Sequence, residues 1–191
     1  RGAVRRGAAM SGVPRRGAAM HGARTRGPLI AAGLLIGAGM GGFVDGIVFH
    51  QILQWHNMLS ARIPPNTLVD AKVNMAWDGL FHAGVWLMTA IGLAALWRAG
   101  GRADVPWSGR TFGGALLAGW GLFNLVEGVI DHHLLELHHV FEYAADPRPY
   151  DYAFLAAGAV LLLAGWALMR AGRRDAAPGS AAVEARGRRA P

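Results

Sequence analysis

The chain has no cysteine among its 191 residues. That excludes disulfides, iron–sulfur clusters and thiolate metal sites, and leaves only nitrogen and oxygen donors for any metal. Charge is also scarce: Asp, Glu, Lys and Arg make up 16% of the residues against 53% hydrophobic, too little for the surface of an ordinary soluble domain. The net charge of +7 does not describe a basic nucleic-acid face, because most of the arginines stand in two tails that flank apolar segments. No nucleic-acid partner is expected. The excess of Arg over Lys, with abundant Ala and Gly, has the look of a high-GC bacterial genome.

What the chain does have is four long apolar blocks, each able to cross a bilayer. They predict an all-α fold, an integral membrane four-helix bundle over residues 28–170 with spans at about 28–50, 79–97, 111–131 and 152–170. Residues 1–27 and 171–191 read as disordered basic tails. The first tail repeats RRGAAM at Arg5–Met10 and Arg15–Met20, and because the chain begins with Arg, Met10 or Met20 is the expected true start. The first block carries Asp45 and is followed by no small-x-small cleavage site, so it reads as a retained span rather than a signal peptide. Within it Gly33, Gly37 and Gly41 recur at every fourth residue, a spacing that lets another helix backbone approach closely.

Pro64 and Pro65 break the first connection, and Thr67 with Asp70 three residues later reads as a cap that starts a helix running to Trp97. The third helix is expected to continue past Glu127 and Asp131 through His138 towards Tyr143, until Pro147 and Pro149 stop it. The N-terminal tail holds seven Arg, the link between spans two and three holds Arg98, Arg102 and Arg110, and the C-terminal tail holds six Arg from Arg170 onward. The other two connections carry only Arg62, Lys72 and Arg148. The positive-inside bias therefore predicts cytoplasmic termini for a multi-pass protein of the bacterial inner membrane, with the lipid bilayer as its first partner.

That orientation sends seven of the eight His and nine of the twelve acidic residues to the outer side. Ionisable groups inside a span are costly unless they face the bundle interior and pair with each other, a proton or a metal. Asp78 and His82 lie one helical turn apart, and Asn124, Glu127, Asp131 and His138 fall on one stripe if the helix continues. Carboxylates and imidazoles presented from different helices of a bundle are the materials of a metal site. The expected ligands are His50, His56, His82, Glu127, Asp131, His132 and His133, with Asp45, Asp78, Asn124, His138 and His139 as weaker or outer candidates.

Blander readings stand beside these. Asp45 serves equally well as a helix-end residue bonded to backbone, part of the His132–His133 and His138–His139 doublets faces water, and Asp151 reads as the N-cap of the fourth helix. Trp55, Trp77, Trp107 and Tyr150 belong to the interfacial aromatic belt. The donor set suits Zn, Fe, Mn or Cu(II), whereas Cu(I) prefers sulfur, which only Met58 and Met75 are placed to offer.

The segments GGFVDGIVFHQILQWHNMLS, WDGLFHAGVWLM and GLFNLVEGVIDHHLLELHH resemble the bacterial family of predicted membrane proteins called domain of unknown function 2243. The resemblance covers about residues 28–170 and implies a four-span protein of no established activity. It also implies an association with respiratory oxidase assembly factors, and so with copper or haem handling. Four functions remain open: a membrane protein binding a transition metal (Zn, Cu or Fe) for handling or oxidase assembly; a membrane metalloenzyme, either a metal-dependent hydrolase or a di-metal oxidase; a small bis-His haem cytochrome; and an ion path, disfavoured because the inner halves of the spans lack polar residues.

Overall fold

A computed structural model describes residues 25–175, and the two tails fall outside the described residues. The spans expected from hydropathy are all helical. Helix α1, Gly27–Val44, runs on as a π-helical segment, Asp45–Ile52. Helix α2 is Leu68–Gly100; α3, Gly109–Glu127, also runs on as a π-helical segment, Gly128–Leu134; α4 is Arg148–Ala171. There is no strand among the described residues. All four helices are long and apolar enough to cross a membrane. At 1.5 Å per residue, the 33 residues of α2 extend roughly 50 Å, so its first turns stand above a hydrocarbon layer of roughly 30 Å.

The helix starts follow local chemistry. Thr67 accepts from the Asp70 amide at 3.2 Å and Ser108 from that of Thr111 at 3.1 Å, each satisfying an amide that the first turn leaves without a partner. The third helix does not run to Tyr143 as its polar stripe predicts. It stops at Leu134, because Glu136 takes a positive φ of 47° and turns the chain back.

Helices α1 and α3 run parallel at the centre, α2 packs on α1, and α4 packs on α3. The outer pair accordingly offers much of its surface to lipid, with Trp86 on α2 and Trp166 on α4 among its exposed apolar residues. The central crossing is tight: a Cβ on Gly37 would strike the carbonyl of Leu116, and a Cβ on Gly119 would strike that of Leu34. Only glycine permits that approach.

These two contacts are one contact seen twice. Gly37 and Gly119, like Leu34 and Leu116, are 82 residues apart, and the pairing extends to the two helical hairpins. α1 with α2 forms one hairpin and α3 with α4 a second copy, and the outer helices correspond at an offset of 73, as in Gly92 and Gly165. Because α1 and α3 are parallel, the copies are related by a pseudo-two-fold axis along the bundle.

Candidate metal centre

The repeat is plainest at the end of the bundle away from the described termini. Asp45-Gly46, His50 and His56 correspond to Glu127-Gly128, His132 and His138, each 82 residues on. The π-helical segments assemble the first two members of each set. In an α-helix residues five apart point about 140° apart, but i→i+5 bonding stacks them. Asp45 thus comes over His50, Oδ2 to Nε2 at 3.0 Å, and Glu127 stands near His132, Oε1 to Nε2 at 3.9 Å. The glycines let the π turns seat: a Cβ on Gly46 would lie 2.6 Å from His82 Nε2, and one on Gly128 2.7 Å from Leu155 Cδ2.

The third member of each set arrives by a reversal. Gln54 and Glu136, again 82 apart, hold positive φ values of 52° and 47°, a region that costs a non-glycine residue about 1–2 kcal/mol. Two residues later His56 and His138 turn back into the bundle. Their outer nitrogens are held crosswise, His56 Nδ1 donating to the Val140 carbonyl at 2.9 Å and His138 Nδ1 to the Met58 carbonyl at 3.1 Å. A carbonyl only accepts, so both Nδ1 atoms donate, and in a neutral ring that leaves Nε2 as the lone-pair acceptor.

His50 is oriented by a carboxylate. Asp78 lies 2.9 Å from its Nδ1 and also accepts from Asn57 Nδ2 and the Met58 amide. The counterpart of Asp78 is Asp151, which accepts from the Val140 amide and His139 Nδ1 and stands 3.6 Å from His132 Nδ1. Asp151 is therefore not the N-cap of α4, which begins at Arg148 behind Pro147; it holds the loop and the imidazoles of its own repeat.

All four imidazoles are at most 2% exposed, and Asp45 and Glu127 are 2% and 6% exposed. The rings interlock, His50 on His56 at 4.4 Å, His132 on His138 at 4.9 Å, and His56 face to face with His138 at 4.6 Å. Burial, with His56 and His132 alongside, pushes the pKa of His138 well below the ordinary histidine range, which keeps its lone pair free of a proton. Eight buried polar atoms here have no hydrogen-bond partner: both Asp45 oxygens, Glu127 Oε2, both His132 nitrogens, and Nε2 of His50, His56 and His138. The nitrogen–oxygen contacts of the set run from 3.0 to 3.9 Å, close to the roughly 2.9–3.4 Å that separates ligands of one ion when each metal bond is about 2.0–2.1 Å. Two overlapping groups, His50 with His56 and His138, and Glu127 with His132 and His138, have ligand atoms within 4.8 Å of one another.

Of the expected ligands the structure brings together His50, His56, Glu127 and His132. Asp45 and His138, ranked lower from sequence, join them, while Asp78 and His139 stand one step out. Three do not converge. His82 donates to its own helix at the Asp78 carbonyl and packs on Gly46; its counterpart is Leu155. His133 is exposed and stacked on Tyr152. Asp131 is half-buried beside an apolar cavity. Asn124 is buried against Gly158 of α4, and Met75 is 67% exposed.

Fold and site together define a class: four-span, all-α membrane proteins built from two hairpins around a buried histidine and carboxylate cluster. The chain belongs to the family described as predicted membrane protein (DUF2243), whose model matches residues 32–172. No curated protein and no solved structure matches it.

Proposed function

We propose that the protein is a membrane metalloprotein in which Asp45, His50 and His56 from one repeat and Glu127, His132 and His138 from the other bind a transition metal. The observation that carries this reading is the convergence of eight buried, partnerless polar atoms, most of them bare acceptors. A trapped water donates to two acceptors at most, whereas one divalent cation meets several acceptors at once. Imidazole nitrogens whose other nitrogen is tied to a carboxylate or carbonyl are the usual presentation of metal-binding histidine. Neutral imidazole with carboxylate suits Zn, Fe, Mn or Cu(II). Haem is disfavoured because the four interlocked rings leave no flat slot for a macrocycle.

The arginines of the opposite end favour an outward-facing centre. Burial of every donor favours a resident ion over one handed to oxidase assembly factors. Elemental analysis of the purified protein tests the reading. One transition-metal ion per chain corresponds to an ion on the pseudo-two-fold axis and two to one ion per repeat; the His56→Ala, His138→Ala double variant is expected to hold none while eluting as a folded protein. A wild-type sample without stoichiometric metal, or a double variant that retains it, would remove this reading.

A further inference from the structure

Two cavities flank the cluster, and the repeat relates them. One, about 450 Å³, lies between α1, α2 and α3 and is lined by Ala38, Phe81, Met88, Phe123, Glu127 and Asp131 among others. The other, about 370 Å³, lies towards α4 and contains their counterparts Trp120, Phe154, Leu161, Gly41, Asp45 and Phe49. Each cavity touches one carboxylate of the cluster, Glu127 in the first and Asp45 in the second.

The copies differ in bulk and in charge: Phe123 of the first cavity corresponds to Gly41 of the second, and two further exchanges run the other way. The second cavity carries the bulk of Trp120 and the apolar ring of Phe49. The first has Ala38 and the carboxylate of Asp131 at those positions, so an acidic pair stands at the end of an otherwise apolar chamber. Its rim residues Leu122, Val126 and Ile130 are 46%, 49% and 39% exposed, on a face that a bilayer covers. Glu127 is 6% exposed with Oε2 unpartnered.

We infer that this first cavity binds a membrane-dissolved molecule with an apolar body and a neutral hydroxyl head, entering from the lipid and presenting the hydroxyl to Glu127 and Asp131. A volume of this size holds a small ligand, and aromatic and thioether walls suit an apolar, ring-bearing body. Hydrocarbon penalises the entry of a charged head of either sign. A hydroxyl crosses lipid cheaply and, as both donor and acceptor, pairs with a carboxyl group in either protonation state. That the hydroxyl then lies next to a metal rests on the function proposed above.

Photolabelling of the whole protein in phosphatidylcholine nanodiscs with a diazirine-bearing alkylphenol tests this. Label is expected at Leu122, Val126 and Ile130, reduced at least fivefold by 4-octylphenol and not by octylbenzene at the same concentration. Ala38→Trp, which gives the first cavity the bulk of its mate, is expected to abolish the protected labelling with metal content unchanged. Asp131→Asn, which keeps the shape, is expected to narrow the preference for the phenol over the hydrocarbon. Equal labelling of both cavities, equal competition by octylbenzene, or labelling indifferent to Ala38→Trp overturns the proposal. Metal measured on the same samples separates the two readings: specific labelling without metal leaves the cavity and removes the centre, and metal with unspecific labelling does the reverse.

Discussion

The α1–α2 and α3–α4 hairpins share a skeleton and differ at its edges, and the division is informative. What is the same in both is the interior: a carboxylate, two imidazoles, a positive φ and a buried aspartate on the neighbouring helix. What differs is the lining of the flanking cavities, Ala38 against Trp120 and Asp131 against Phe49, and the helix position where His82 faces Leu155. The paired features are those that the proposed ion between the repeats would need from both sides. The unpaired ones lie where only one side has to meet something else.

Substitutions made in both copies test the two-fold relation. The largest effect is expected from His56→Ala with His138→Ala, which takes one ligand from each copy and abolishes metal retention in elemental analysis. Next comes Gly37→Leu or Gly119→Leu. Either forces a side chain into the backbone at the α1–α3 crossing, and each is expected to cost about 3 kcal/mol, read as a lower unfolding midpoint in detergent. Equal losses would support the two-fold relation, and a loss at only one would break it.

Smaller and unequal effects are expected from Asp78→Asn and Asp151→Asn. Residues that orient metal-binding histidine are worth about 10–100-fold in metal affinity. The Asp78 variant is expected near the top of that range and the Asp151 variant near the bottom, because Asp78 is hydrogen-bonded to His50 at 2.9 Å while Asp151 stands 3.6 Å from His132. Competition with a chelator measures the difference, and the opposite ranking would sink the explanation. Gln54→Gly and Glu136→Gly relieve a left-handed backbone and are each expected to raise stability by about 1 kcal/mol at most, with metal unchanged. His82→Ala and His133→Ala are expected to leave metal content as it is.

Much of the fold was legible before any coordinates. Long apolar runs, Thr67 before Asp70, and the proline pairs mark the four spans, and the clustering of His and acid at one end follows from the cost of stranding them in lipid. Part of the cluster was legible as well, in His50, His56, Glu127 and His132. The remainder was obscured by assuming α-helical spacing. That assumption pairs residues three, four and seven apart, hence Asp78 with His82 and Glu127 with Asp131, whereas the π segments pair residues five apart. It also carries His138 out along a helix, when the turn at Glu136 folds it back. The one sequence signal for both errors is the recurrence of an acid and Gly, then three residues and His, then five residues and His, at an offset of 82. It is hard to see because the acid changes from Asp to Glu and the second copy is surrounded by additional histidines.

The crosswise hydrogen bonds have a temporal consequence. The His56 ring is held by the carbonyl of Val140 and the His138 ring by that of Met58, so neither hairpin owns a finished half-site. A ribosome that has released only the first two spans has made a hairpin whose second imidazole lacks its anchor. The cluster accordingly closes only once Val140 has followed α3 into place, and a polypeptide severed in the link between α2 and α3 is expected to regain the proposed centre only when both fragments are made in the same membrane.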